Sequence, residues 1–238
     1  MPVFLLSDDI SFPSPEMSME DGLLAIGGDL NPDRLLCAYR CGIFPWYCEG
    51  QPILWWSPNP RLVLYPNEMR VSGSMKKIIR QNRFRFTMDQ AFEQVISECA
   101  GSRAGSGDGT WITDEMIRAY CRLHKAGYAH SVEAWYMNSL AGGLYGVSLG
   151  RCFFGESMFT RVSNASKAAF VKLVEYLKSR SFDLIDCQVT TGHLKSFGAR
   201  EISRVRFLEI LRESVRYADL IGTWGDAGEQ AGFYDSLF

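Results

Sequence analysis

Few positions in this chain combine reactive side chains with a spacing that gathers them. Asp186 and Gln188 stand two apart in the apolar run LIDCQV. On a strand that spacing turns both side chains to one face, where the pair either meets a reactant or merely finishes a sheet edge. Glu156 lies in GESMF, a carboxylate inside an otherwise apolar strand. Burying an unpaired charge is costly, so a cationic partner is expected, either an Arg or Lys of the chain or a ligand. Trp46 and Trp111 occupy turn-rich stretches, where a large ring has less opportunity to join a core. Such a ring can stack on a nucleobase, an interaction worth about 1–3 kcal/mol. Between Glu68 and Asp89 there is no acidic residue, while Arg70, Lys76, Lys77, Arg80, Arg83 and Arg85 all occur. That run is either a solvated face or a phosphate-binding one.

The elements that position these residues follow from periodicity and punctuation. With 238 residues, 47% of them hydrophobic, the chain has enough apolar material for one large domain, or a main domain with a smaller partner, and disorder is excluded. A net charge of −2 means that any nucleic-acid contact comes from a local patch. Asp8 and Asp9 interrupt the only early apolar run, no basic segment precedes it, and no later stretch reaches the length of a membrane span, so a cytoplasmic protein is expected. Seven scattered cysteines read as free thiols, and neither they nor the three histidines have metal-ligand spacing, so no metal is needed.

Residues 1–62, rich in Gly, Pro and aromatics, form a small N-terminal α/β domain with a helix at about 32–41, capped by Asn31 and closed by Gly42. The stretch IFPWYCEGQPILWWSPNPR that follows reads as a loop and a short strand, and residues 63–238 form a second domain. There Thr87 with Gln90 resembles a capping box for a helix whose face carries Phe92, Val95, Ile96 and Cys99. The segment GSRAGSGDG at 101–109 reads as a flexible loop. Thr113 caps the next helix, which Gly127 ends. Residues 130–137, 143–149 and 151–159 form an antiparallel set, followed by a helix at about 164–179, a buried strand at 183–189 and a helix at about 204–216 capped by Ser203. The whole is α+β. This order resembles the acyltransferase fold of the N-acetyltransferase (GNAT-like) superfamily, yet TRVSNASK at 160–167 lacks the glycines with which coenzyme A enzymes cradle a pyrophosphate.

Eight runs carry a closer resemblance: FPSPE (12–16), GLLAIGGDL (22–30), GIFPW (42–46), ILWWSPNPR (53–61), GTWIT (109–113), GESMF (155–159), NASK (164–167) and LIDCQV (184–189). Together, over about residues 4–217, they resemble the bacterial leucyl/phenylalanyl-tRNA–protein transferases. The resemblance implies transfer of leucine or phenylalanine, with methionine as a further candidate, from its tRNA to a protein beginning with Arg or Lys, which marks that protein for degradation. It implies no cofactor, because the ester is already activated, and a monomer is expected.

By resemblance Asp186 and Gln188 are the catalytic pair: the Gln188 amide oxygen orients the attacking amine and Asp186 fixes the amide. Glu156 then serves the cationic acceptor, and Trp46, Trp111 and the Tyr120 hydroxyl handle the terminal adenosine of the tRNA and the neighbouring substrate. Trp55, Trp56 and Trp135 are assigned to the core. Leu144, Phe170, Leu173, Leu177 and Ile185 form the pocket for the transferred side chain, with bulk redistributed from the family pattern of Met at 144, Leu at 170 and Phe at 173 and 177. The basic residues at 70–85 meet the acceptor stem through its shape and backbone. Two other readings compete: another aminoacyl- or acyltransferase of the same fold, and an RNA-binding module without catalysis.

Overall fold

The computed structural model describes residues 3–104 and 111–225. It is a mixed α/β structure with two sheets. Strands β1 (Phe4–Leu6), β2 (Leu23–Gly27), β3 (Phe44–Pro45) and β4 (Leu54–Trp56) make a four-stranded sheet in the order β1-β2-β4-β3. Helix α1 (Pro32–Arg40) links its second and third strands. Pro32 opens the helix where a missing N–H costs nothing. Asn31 precedes it in an extended conformation, but its side chain makes no capping hydrogen bond. Gly42 ends the turn at φ +74°, and a Cβ there would lie 2.7 Å from Leu208 and 2.9 Å from Phe207, so only glycine fits. The aromatic stretch after it holds two short strands, β3 and β4, rather than one.

The second sheet has seven strands in the order β11-β5-β10-β9-β8-β7-β6. Along the chain come β5 (Arg61–Leu64), α2 (Gly73–Arg80), β6 (Arg85–Met88), α3 (Phe92–Ala104), α4 (Asp114–Lys125), β7 (Ala129–Tyr136), β8 (Ser139–Leu149) and β9 (Cys152–Thr160). Then follow α5 (Ala165–Ser179), β10 (Leu184–Asp186), α6 (Gly192–Lys195), β11 (Arg200–Ile202) and α7 (Arg204–Ser214). Strands β6 to β9 are antiparallel neighbours, whereas β10 runs parallel to β9. The hydroxyls of Thr113 and Ser203 accept N–H bonds from Met116 and Arg206, as capping residues do.

Three local expectations are corrected. Thr87 caps nothing: it sits in β6, donates its hydroxyl to Glu133 and accepts the Trp135 indole N–H at 2.8 Å, because a β-branched residue opposite β7 is better used in the sheet. Helix α3 continues through Ala104, so the expected loop at 101–109 starts later, and residues 105–110 of it lie outside the described residues. The strand expected at 183–189 stops at Asp186.

Adjacent strand residues divide between two core clusters, as the alternation of a sheet buried on both faces requires. Phe154, Leu184 and Val63 join one with α1, α3, α4 and α7, while Phe153, Ile185, Leu62 and Leu64 join the other with α2 and α5. The first cluster also contains Leu24, Tyr39 and Trp55, so the small sheet shares its core with one face of the large one. Helix α5 lies tight on β8: a Cβ on Gly142 would come within 2.7 Å of Ala165 Cβ.

Candidate active site

Strand β10 accompanies β9 only from Leu184↔Cys152 to Asp186↔Phe154. Beyond that point the two parallel strands part. The residues on either side of the gap, Gly155 to Met158 and Cys187 to Val189, line a cavity of about 270 Å³. That is near the lower end of ligand pockets, roughly 300–1,000 Å³, and the carboxyl ends of parallel strands are where α/β sheets commonly hold ligands.

Glu156 owes its place to a bulge. Tyr145 pairs with Ser157 and Gly146 with Gly155, which leaves Glu156 as the extra residue of β9. The bulge also reverses the alternation: Phe153 and Met158 pack with one core cluster, and Phe154 and Phe159 with the other. Glu156 is 7% exposed and lines the cavity. Its Oε1 accepts from Tyr39 Oη at 2.8 Å and from Gln188 Nε2 at 2.7 Å, and its Oε2 accepts from Tyr120 Oη at 3.1 Å. The Tyr39 and Tyr120 oxygens are also in hydrogen-bond contact, and the three groups can make all three bonds at once only when Glu156 keeps its proton. No ion pair to Glu156 exists among the described residues, so none of them supplies the expected cation. Burial raises its carboxyl from 4.5 to about 7, against the pull of its three neutral donors. The same burial, with the carboxylate beside them, raises the phenols of Tyr39 and Tyr120 well above their ordinary value.

Asp186 and Gln188 do not share a strand face. Gln188 follows the end of β10 in a left-handed conformation, φ +59°. Asp186 is fully buried and outside the cavity wall, while Gln188 is in that wall. The Asp186 carboxylate takes a forked bond from Arg61, Nε to Oδ1 at 2.8 Å and Nη2 to Oδ2 at 2.6 Å. Its Oδ1 also accepts the backbone N–H of Gln188 at 2.9 Å, so Asp186 fixes the backbone of Gln188 rather than its amide. The side-chain amide gives Nε2 to Glu156, which leaves Oε1 with no hydrogen-bond partner among the described residues.

The cavity wall also contains Trp46, Trp111, Leu144, Phe170, Leu173 and Ile185. Trp46 is 40% exposed; its ring centre lies 5.7 Å from that of Trp56, whose indole N–H donates to the Trp46 carbonyl at 2.7 Å. Trp56 therefore braces Trp46, whereas Trp55 is fully buried as expected. Two expected residues are elsewhere. Leu177 is sealed in the core, and the Tyr120 hydroxyl is engaged by Glu156 and Tyr39 behind the wall. Arg70, Lys76, Lys77, Arg80, Arg83 and Arg85 are all exposed and none lines the cavity. Met75 and Ile79 anchor α2 so that Lys76, Lys77 and Arg80 face solvent, and the guanidinium groups of Arg83 and Arg85 lie over the rings of Tyr136 and Trp135.

Tyr39 and Arg61 escaped the reading of the sequence. Tyr39 carried no signal, being one apolar-face residue of an ordinary helix. Arg61 did: an arginine opening the apolar run RLVL invites the same question as Glu156 in GESMF.

Known proteins match this chain along most of its length. The profile described as leucyl/phenylalanyl-tRNA protein transferase matches residues 63–212, and that of the corresponding N-terminal domain matches residues 28–59. The leucyl/phenylalanyl-tRNA–protein transferase of Desulfatibacillum aliphaticivorans is 59% identical over 94% of this chain and 96% of its own. That of Syntrophobacter fumaroxidans is 58% identical over 90% and 92%. Among solved structures, the C-terminal domain of a putative lysylphosphatidylglycerol synthetase from Agrobacterium fabrum is 8% identical, with a TM-score of 0.40 over 81% of this chain and 60% of that one. No helix among the described residues is long and apolar enough to cross a membrane. The chain belongs to the leucyl/phenylalanyl-tRNA–protein transferase family.

Proposed function

We propose that this chain takes leucine or phenylalanine from its aminoacyl-tRNA and joins it to the α-amine of a protein whose first residue is arginine or lysine. Family membership makes the chain an aminoacyltransferase acting between tRNA and protein. The reaction is aminolysis of an ester. The amine nitrogen attacks the ester carbonyl, the bond to the ribose oxygen breaks, and a proton passes from nitrogen to that oxygen. A free α-amine has a pKa of about 7.7–8.0, so part of it is neutral near pH 7 and its positioning counts for more than a strong base.

One observation carries the choice of acceptor: Glu156 is a buried carboxylate in the cavity wall, held by three neutral donors and matched by no cation among the described residues. A guanidinium or ammonium entering with the substrate completes it. With Nε2 committed to Glu156, Gln188 Oε1 is the acceptor that orients the amine N–H and favours the positive charge developing on nitrogen. Asp186 supports Gln188 from behind the wall. Leu144, Phe170, Leu173 and Ile185 receive the transferred side chain, and Trp46 and Trp111 stack on the terminal adenosine. The exposed residues Arg70, Lys76, Lys77, Arg80, Arg83 and Arg85 bind acceptor-stem phosphates. On this reading, residues 1–62 and 63–238 are two domains that meet within β5 and share a core, the second a GNAT-like acyltransferase without a coenzyme A cradle, and the protein works as a cytoplasmic monomer without a cofactor.

The test uses labelled Phe-tRNA or Leu-tRNA with a peptide starting in Arg and the same peptide starting in Ala. Label on the first peptide alone is the expected result. Equal labelling of both would overturn the acceptor assignment, and labelling of neither would overturn the reaction.

A further inference from the structure

We infer that Arg61 is a positioning residue for the chemical step, acting through Asp186 on the backbone of Gln188. The inference rests on the reading of Gln188 as the group that aims the amine. Arg61 is 1% exposed, and its fork grips both oxygens of a fully buried Asp186. A carboxylate held at both oxygens cannot rotate, so the Oδ1 that meets the Gln188 N–H stays in place. Gln188 needs that hold because its backbone lies in a sparsely populated region for a residue with a Cβ. Its carbonyl is pinned from the other side by Leu62 N at 3.3 Å, and Leu62 O takes the N–H of Cys187 at 2.9 Å. Arg61 and Leu62 are adjacent on β5, so one short segment holds the Gln188 N–H through Asp186 and the Gln188 carbonyl directly.

Arg61 is fixed in turn. Its guanidinium carbon lies 4.8 Å from the centre of the Phe44 ring and 4.6 Å from that of Phe207. Phe44 is itself in the cavity wall, next to Pro45 and Trp46. Arg61 thus keys β3, α7 and β10 together at the point from which Gln188 departs. Lysine keeps the charge but not the fork.

The experiment compares Arg61→Met, Arg61→Lys and Gln188→Ala with wild type, using aminoacyl-adenosine and an Arg-starting peptide. Folding is checked by circular dichroism and by the Kd for charged tRNA. A misaimed reacting group costs on the order of 100-fold, so Arg61→Met should lower kcat by about that factor. The tRNA Kd should stay within about threefold of wild type, and Arg61→Lys should fall between. Combining Arg61→Met with Asp186→Asn should lower kcat no further than the worse single variant, because residues acting as a unit are not additive. A folded Arg61→Met with wild-type kcat overturns the inference, whereas wild-type kcat in Gln188→Ala overturns the reading on which it rests. If Arg61→Met does not fold, amide exchange in the wild-type protein decides. The Gln188 N–H should exchange as slowly as that of Cys187, and free exchange at Gln188 overturns the inference.

Discussion

If Glu156 receives the acceptor's cation as proposed, replacing it by Gln removes that charge while keeping the size of the side chain. The consequence should be clearest in the pH dependence of kcat/KM, which reports ionisations of the free enzyme and free substrate. Two groups must lose a proton before productive binding: Glu156, raised to about 7, and the acceptor α-amine, near 7.7–8.0. Between pH 8 and pH 6 the ionised fraction of Glu156 falls about tenfold and the neutral fraction of the amine about fortyfold. Wild-type kcat/KM for an Arg-starting peptide should therefore fall by about 400-fold over that range, with a limiting slope of two, and the Glu156→Gln enzyme by about 40-fold, with a slope of one. At pH 8 the variant should already be about 10- to 100-fold slower, the worth of a hydrogen bond to a buried charge, about 1.5–3 kcal/mol. The assay follows incorporation of labelled phenylalanine into peptide at subsaturating peptide and saturating Phe-tRNA. Equal slopes in the two enzymes would refute the assignment of Glu156 to the acceptor.

The same ionisation acts on stability. Because folding raises the Glu156 pKa, its contribution is complete below about pH 4.5 and is lost as pH rises through about 7, a loss of about 3 kcal/mol that Glu156→Gln should abolish in denaturant titrations at pH 5 and pH 8. Replacing Lys76, Lys77 and Arg80 together by Ala should raise KM for charged tRNA much more than for aminoacyl-adenosine and reduce the salt slope of tRNA binding by up to about three; equal effects on both donors would show that the patch is not an RNA surface. Leu173→Phe adds bulk to the cavity wall and should shift the preference towards leucyl over phenylalanyl donors by about 1–3 kcal/mol, measured by competition between the two charged tRNAs.

What was legible in the sequence was local. Thr113 and Ser203 announce helices because a cap and its N–H lie within three residues, and β7 to β9 announce themselves through alternation broken by turns. The buried carboxylate of GESMF was equally readable as a demand for a partner. The nature of that partner was not, because Tyr39 and Tyr120 stand 117 and 36 positions away from Glu156. The bulge at Glu156 depends on register against β8, which no single strand encodes. Asp186 and Gln188 are legible as a pair but their geometry is not, since a spacing of two shares a face only while the strand continues, and β10 ends at Asp186. The left-handed turn at Gln188 has no signal in its residue type, glutamine having no special tolerance for positive φ.

Tyr39 is the one hydroxyl on Glu156 that comes from α1, beside the four-stranded sheet. Synthesis delivers that helix early, Glu156 much later, and Gln188 later still. The cluster around Glu156 consequently has no precursor: a nascent or half-folded chain holds its parts but not the assembled site. On the proposed function, an unfinished chain would therefore lack the acceptor pocket until Tyr39, Glu156 and Gln188 have come together.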